Sequence, residues 1–357
     1  MGKKRSRYHP TTRPSSVKEC YDLNVDFPTA SLLSSGSRKT PEQILDNVLE
    51  RVKLLGYSTI ALSQTIYGRP NKEILKKGKQ LIDVRDISEK YGIAILHRLN
   101  VVIEESSDVA YYNGSNGESI KFLSQFDLVS LVVRNASSFA AACSNANGVD
   151  MLVLDTSLGK LPFRIVKKDI QEATSRGLLF EFWYGPALVN PSKRKFLVQA
   201  VDNFLQVSVS IRPKPRLVLS SGPRKLDNGE DIGGLAIRSV GDMENISRVV
   251  LRLGNDTAQA AMRFNAKVGI ERGLDRICGE SGNVHVRVFA GNESASDYVH
   301  NGRTLHKLPK RYESANCSKD SLATTNVVTI GEKNLPSEKS DLDLPHSEDD
   351  EDGFITF

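Results

Sequence analysis

An α/β barrel is the fold class this sequence predicts, and three observations predict it. Short apolar segments alternate with amphipathic ones along most of the chain, as strands and helices do in a parallel sheet. The region carrying this pattern is about 250 residues long, the usual size of one (β/α)₈ barrel. Eight candidate strands can be counted in it, the weakest at residues 163–166, and eight favours closure into a ring. A doubly wound open sheet is the alternative. Against it, no glycine-rich turn follows the first strand, which runs instead into Asp26-Phe27-Pro28.

The elements follow in order. Tyr21–Asp26 alternates and suits a strand. Thr40-Pro41-Glu42-Gln43 announces a helix, with Thr40 as N-cap, Pro41 at the first helical position and Gln43 reaching back in a capping box. Ile44, Leu45, Val48, Val52 and Leu55 share one face of that helix, and Gly56 ends it. Residues 57–62 form the next strand, and residues 68–78 a polar, basic insertion. A long β-rich run at 93–103 comes next, and residues 118–122 lead to the strand Leu128–Val133. Residues 136–146 make a small-residue helix and 151–154 another strand. Strands at 178–183 and Leu217–Ser220 flank a Pro-bounded loop and a helix. After Gly222, one helix is expected from Asp242 as N-cap to Leu253 and a second from Asp256 to about Gly269, with Gly254 between them.

Two of these helices open on cations: Lys167-Lys168-Asp169 and Lys193-Arg194-Lys195. The free N–H groups of a helix start carry partial positive charge, so cations there suggest an anion beside them. Lys167, Lys168, Lys193, Arg194 and Lys195 are therefore candidate phosphate-binding residues, with Arg98 and Arg224 as further candidates. The net charge of +5 hides a split. Residues 274–357 hold nine Lys/Arg against fifteen Asp/Glu, net −6, which leaves residues 1–273 with 39 against 28, net +11. A basic folded region is the footprint of a partner that is an anionic polymer.

The same stretch carries a family resemblance. Leu161-Pro162-Phe163 precedes basic residues; Arg176-Gly177-Leu178, Glu181, Tyr184, Pro186, a Lys/Arg helix opening and Ser220-Ser221-Gly222 follow. In this order they resemble the barrel-shaped protein subunit shared by eukaryotic and archaeal ribonuclease P and by ribonuclease MRP. Upstream, Tyr21-Asp22-Leu23-Asn24-Val25, Leu55-Gly56-Tyr57 and Ile95-Leu96-His97-Arg98-Leu99 look like the family's first three strands, with an arginine at the position of Arg98. Downstream, Arg238, Asp242 and Asn245 keep the spacing of its terminal motif, although Val240 stands where the family usually has proline. The resemblance spans roughly residues 20–273. It implies a TIM-like barrel related to the polymerase-and-histidinol-phosphatase barrels, and a subunit that is not itself catalytic. The ribonuclease P RNA, and the MRP RNA where the subunit is shared, would cleave with bound Mg²⁺, in tRNA 5′ maturation and in pre-rRNA processing respectively. The chain would help fold and hold that RNA through Arg98, Lys167, Lys168, Lys193, Arg194, Lys195 and Arg224. It would pair with a small α/β partner subunit among other ribonucleoprotein subunits, meet precursor tRNA only indirectly, and work in the nucleus with nucleolar enrichment.

Other chemistries find little support. A metal-dependent barrel phosphoesterase is the competing enzyme reading, but it needs several converging N/O ligands. The first strand has no histidine, and of six histidines only His97 lies securely in the barrel, where a satisfied strand residue is expected. Asp22, Asp155 and Glu181 lie at or near strand ends, where barrel active sites gather, yet a carboxylate inside a barrel usually pairs with an arginine, and Arg98 is a plausible partner. Trp183 and Tyr184 at a strand end suit the core better than base stacking. No cofactor is expected on this chain: it has no Walker loop, nucleophile elbow or dinucleotide fingerprint. The four cysteines, Cys20, Cys143, Cys278 and Cys317, are scattered without a CxxC pair, which argues against zinc and against a disulfide framework. Neither a signal peptide nor an apolar run of membrane-spanning length is expected, so no membrane partner is implied. Three regions result: a basic tail at 1–18, a barrel at 19–273 and an acidic low-complexity tail at 274–357 that includes Glu348-Asp349-Asp350-Glu351-Asp352; both tails are expected to be disordered.

Overall fold

The computed structural model describes residues 19–26, 41–77, 84–223, 236–278, 299–300 and 303–304. Seven strands form one parallel sheet: β1 (Tyr21–Asp26), β2 (Thr59–Tyr67), β3 (Ala94–Ile103), β4 (Leu128–Val133), β5 (Met151–Val153), β6 (Leu179–Trp183) and β7 (Leu217–Ser220). Their order in space is their order in the chain. The helices are α1 (Pro41–Leu54), α2 (Lys72–Lys77), α3 (Val84–Tyr91), α4 (Gly117–Leu123), α5 (Ala136–Asn145), α6 (Lys167–Ser175), α7 (Gly185–Val189), α8 (Pro191–Ser208), α9 (Val240–Val249), α10 (Asn255–Met262) and α11 (Phe264–Cys278), with a 3₁₀ segment at Ser106–Asn113. A two-residue antiparallel pair joins Val299–His300 to Arg303–Thr304. No helix among the described residues is long and apolar enough to cross a membrane. The predicted N-cap Thr40, and the expected tails except for a few of their residues, lie outside the described residues.

The ring closes between β1 and β7 with little strand pairing. One bridge joins Val25 to Gly222, and the Gly222 N–H donates to the Asn24 carbonyl at 3.0 Å. Side chains complete the seam. The Ser221 hydroxyl also donates to the Asn24 carbonyl (2.9 Å), and the Ser221 N–H donates to Asp22 Oδ1 (3.2 Å). Lower down, Asn265 Nδ2 donates to the Leu217 carbonyl (2.7 Å) and Arg263 Nη1 to the Glu19 carbonyl (3.2 Å). A sheet edge otherwise leaves a row of unpaired groups. Here polar side chains of β1, α11 and the β7 exit stand where an eighth strand would.

The expected eighth strand at 163–166 is not one. Arg164 and Val166 are exposed and Ile165 is buried, so the alternation is real, but the segment lies in the β5–α6 connection. Phe163 stacks on Phe139 of α5, ring centroids 5.0 Å apart. A period of two marks any extended chain packed on one side, in a sheet or not.

The interior is layered. At the N-terminal ends of the strands β1 contributes Tyr21 and Leu23 and each other strand one apolar residue: Ala61, Leu96, Leu128, Met151, Leu179 and Val218. Ala266, Ile270 and Leu274, one turn apart along α11, cover this layer from below. At the opposite end Val102, Val132, Val153 and Trp183 fill the ring. Gly222 has φ +80°, and a Cβ there would stand 2.5 Å from the Trp183 Cβ, so the residue closing the seam has two reasons to be glycine.

After β7 the helices differ from expectation in detail. Ser239, not Asp242, caps α9: its hydroxyl accepts from the Asp242 N–H at 3.1 Å. Gly254 caps the next helix as the expected separator, but that helix breaks at Arg263, and α11 continues five residues past residue 273.

Candidate nucleic-acid interface

The interior between the two apolar layers is polar, and Arg98 is its centre. Arg98 and Glu181 are both 0% exposed. All five guanidinium donors are used. Nε donates to Asn100 Oδ1 (2.7 Å), Nη1 to the Leu23 carbonyl (2.7 Å) and Glu181 Oε1 (2.8 Å), and Nη2 to the Ser130 hydroxyl (2.9 Å) and Glu181 Oε2. Ser220 Oγ donates to Glu181 Oε1, and Ser130 Oγ to Asn100 Oδ1 at 2.7 Å. Asn100 Nδ2 extends the network to Asn24 Oδ1 at 3.1 Å. Burying two charges is tolerable because both are paired and hydrogen-bonded. The pairing anticipated between Arg98 and a barrel carboxylate is therefore made by Glu181. The same burial corrects the reading of Arg98 as an RNA contact: an enclosed guanidinium with no free donor cannot reach a phosphate.

The other strand-end carboxylates have separate partners. Asp155 pairs with Arg134 at 2.7 Å and accepts the Ser157 N–H at 2.7 Å. Asp22 is fully buried and accepts from the Ser221 and Asn24 N–H groups, both 3.2 Å away. Burial pushes its carboxyl above the usual carboxylate range, against those two N–H groups, which pull it down. His97 is buried on β3, its backbone N–H bonded to Asp127 Oδ2 at 2.8 Å. Among the described residues no group of three or more His, Cys, Asp or Glu side chains is placed to hold a metal ion. Trp183 and Tyr184 are buried, so neither ring is open to a base.

The cationic helix starts lie elsewhere. In a barrel of parallel strands every strand-to-helix connection emerges at the C-terminal end, so the starts of α6 and α8 share one rim. These two helices touch. Lys167, Lys168, Arg194 and Lys195 are exposed on that rim. Lys193 is not: it is 7% exposed, on the inner side of the first turn of α8. Arg194 lies over the end of α7, donating to the Ala187 carbonyl (3.0 Å) and the Leu188 carbonyl (3.2 Å). Arg224 falls outside the described residues. The two starts also differ in capping. Asn190 Oδ1 accepts from the Ser192 and Lys193 N–H groups at 2.9 and 3.2 Å, whereas Val166 gives α6 no side-chain cap.

The connections add cations that the motifs did not flag. Lys160 and Arg164 are exposed in the β5–α6 connection, beside Lys167 and Lys168. Reading residues 163–166 as a strand hid Arg164. The available signal was the absence of carboxylates: residues 157–168 and 184–195 together contain seven cations and no Asp or Glu. Six of the seven are exposed. Elsewhere cations meet acids, as in Arg69–Asp108, Lys90–Asp46, Arg263–Glu244 and Arg276–Asp150.

Comparison with known proteins shows the family of the chain. Ribonuclease P protein subunit p30 of Mus musculus is 25% identical over 237 residues, 65% of this chain and 81% of the mouse protein. Ribonuclease P/MRP protein subunit RPP1 of Saccharomyces cerevisiae is 25% identical over 193 residues, 53% of this chain and 62% of the yeast protein. A crystal structure of an uncharacterised protein shares 9% identity, with TM-score 0.41 over 74% of this chain and 79% of that one, and adds nothing to the fold described above. The family model of RNase P subunit p30 matches residues 19–277, from the entry to β1 to the last turn of α11. The chain belongs to the RNase P subunit p30 family.

Proposed function

We propose that this chain is a non-catalytic protein subunit of ribonuclease P, shared with ribonuclease MRP, which binds and organises the catalytic RNA along the rim formed by the β5–α6 and β6–α8 connections. The observation that supports the reading is the six exposed cations in residues 157–168 and 184–195, two carboxylate-free windows that open touching helices at one end of the barrel. Surface lysines normally stand among acids, and a patch of one sign is kept for a charged partner. Membership in the RNase P subunit p30 family supports ribonuclease P RNA, and MRP RNA, as the partner. The RNA supplies the phosphodiester cleavage with its own Mg²⁺, in tRNA 5′ maturation and pre-rRNA processing. This protein supplies position and charge neutralisation, beside a small α/β partner subunit and other ribonucleoprotein subunits, and meets precursor tRNA only through the assembly. Its place is the nucleus, with nucleolar enrichment.

The test is to purify the tagged full chain from cells and sequence the RNA that accompanies it. Wild type should enrich ribonuclease P RNA and MRP RNA. A variant with Lys160, Arg164, Lys167, Lys168 and Lys195 replaced by Ala should lose most of that enrichment while unfolding at the wild-type temperature. Equal enrichment from both would move the RNA to another face. No enrichment from either would leave a scaffold that meets only proteins.

A further inference from the structure

We infer that the RNA element seated on the α6/α8 rim is a double helix held through its phosphates, not an unpaired strand. The inference rests on the RNA-binding reading above and adds what kind of RNA the rim selects. Unpaired strands are recognised chiefly by stacking bases on exposed aromatic rings and by reading their edges with hydrogen-bonding side chains. Among the described residues the rim offers no strongly exposed aromatic ring. Its aromatic rings are turned inward: Phe163 lies on Phe139, and Trp183 and Tyr184 are buried. Phe196, within the second turn of α8, is half-buried. The strongly exposed Tyr67, 72% exposed, ends β2, across the ring from β5 and β6.

Amide side chains that read base edges are scarce as well. Asn190 is the sole Asn or Gln in residues 157–168 and 184–195, and its carbonyl oxygen caps α8. Between the cations stand aliphatic side chains: Leu158 (55% exposed), Val166 (46%) and Val189 (40%). What remains is charge on a fixed frame. Lys167 and Lys168 open one helix, and Arg194 and Lys195 open its neighbour. Packed helices lie about 8–10 Å apart. Two rigid ridges of cations favour a ligand whose phosphates are already ordered, because a flexible strand must lose conformational freedom to match them. A-form RNA is recognised in this way, by shape and backbone.

The experiment uses the full chain with two labelled RNAs, a duplex of about 16 base pairs and an oligouridylate of the same strand length. Affinity is measured against salt for wild type and for the variant with Lys160, Arg164, Lys167, Lys168 and Lys195 replaced by Ala. The expected result is duplex binding at least tenfold tighter than single-strand binding at equal salt, lost in the variant together with much of its salt dependence. Single strand bound as tightly as duplex, with both weakened in the variant, would overturn the inference and leave the rim as the RNA surface. Affinities unchanged by the variant for both RNAs would overturn the inference and the assignment of the rim together. Thermal unfolding of the variant at the wild-type temperature separates either result from misfolding.

Discussion

Cations occupy two opposite settings in this barrel. Inside, Arg98 has no exposure, every donor is bonded and Glu181 neutralises it. On the rim, Lys160, Arg164, Lys167, Lys168 and Lys195 are exposed within residues 157–168 and 184–195, which contain no Asp or Glu. The interior group completes its own chemistry and holds strands together. The rim group carries an excess of positive charge, which a partner from outside the barrel can offset. A cation is informative about function when its counter-charge is missing, and informative about stability when the counter-charge is close and dry.

The largest effect should come from ending the chain after residue 273. That cut removes Leu274 from the layer beneath the barrel, and Arg276, whose guanidinium bonds Asp150 and the Leu123 and Phe126 carbonyls. Losing a buried leucine side chain costs about 2–5 kcal/mol, and leaving a buried charge unpaired about 3–5 kcal/mol. The shortened chain should fail to unfold cooperatively, while a chain ending at 278 keeps the wild-type midpoint; equal midpoints would show that α11 does not seal the ring. Next, Arg98→Ala should cost about 3–5 kcal/mol, read from urea unfolding, because Glu181 is left buried and alone. Pairing Arg98→Met with Glu181→Leu should recover much of that loss. If Arg98→Ala instead keeps its stability and loses RNA, the contrast between interior and rim collapses.

A smaller effect concerns pH. Asp22 holds its proton to higher pH in the folded chain than in the unfolded one, because burial disfavours its carboxylate. The folded state therefore binds more protons, and the stability linked to this group falls as pH rises from the ordinary aspartate range to the raised folded value. Asp22→Asn removes the titration, so the variant should gain on wild type through that interval and level off above it. Parallel stability-versus-pH curves for the two proteins would remove this assignment. Smallest of all, single Ala substitutions at Lys167, Lys168 or Lys195 should leave stability within about 0.5 kcal/mol. Each should lower the log–log salt slope of RNA binding by roughly 0.7–0.9 for one lost phosphate contact. A melting temperature that falls with any of them would make that lysine structural, and the rim less distinct from the interior.

The strands were largely legible because each carries a run of apolar residues long enough to outweigh local exceptions; β1, β4 and β7 fall where the pattern places them. Residues 163–166 misled because alternation reports one-sided packing, and the side they pack on is α5. The end of the barrel was misplaced for a similar reason. The last helix was read as ending near Gly269 and the barrel at residue 273, yet Gly273 lies so close to the Asp127 carbonyl that a Cβ could not fit. That glycine lets α11 approach the barrel, and the four-residue steps from Ala266 to Ile270 to Leu274 were the signal that the helix goes on. At the rim, the two Lys/Arg clusters showed in sequence, but which side of each helix they face did not. Lys193 turns in while Lys195 turns out, a matter of 100° per residue that only packing fixes. Arg98 was visible as an arginine in an apolar strand; that all five donors would be bonded depends on residues from four strands meeting in space, β1, β3, β4 and β6.

The position of α11 in the chain sets an order of events during synthesis. A polypeptide emerges from its N-terminus, so all seven strands are made before the helix that closes the floor of the barrel. Until then the lowest layer, from Leu23 to Val218, faces water, and the Asp150 carboxylate waits for a guanidinium 126 residues later. At about 5–20 residues per second that interval lasts roughly 6–25 s. For the last part of it, from Val218 to Leu274 and roughly 3–11 s long, the nascent ring is a cup without a base, presenting the apolar side chains of its lowest layer at the open end. A chaperone that shields such a surface would have to hold it until Leu274 and Arg276 arrive and to let go once they do.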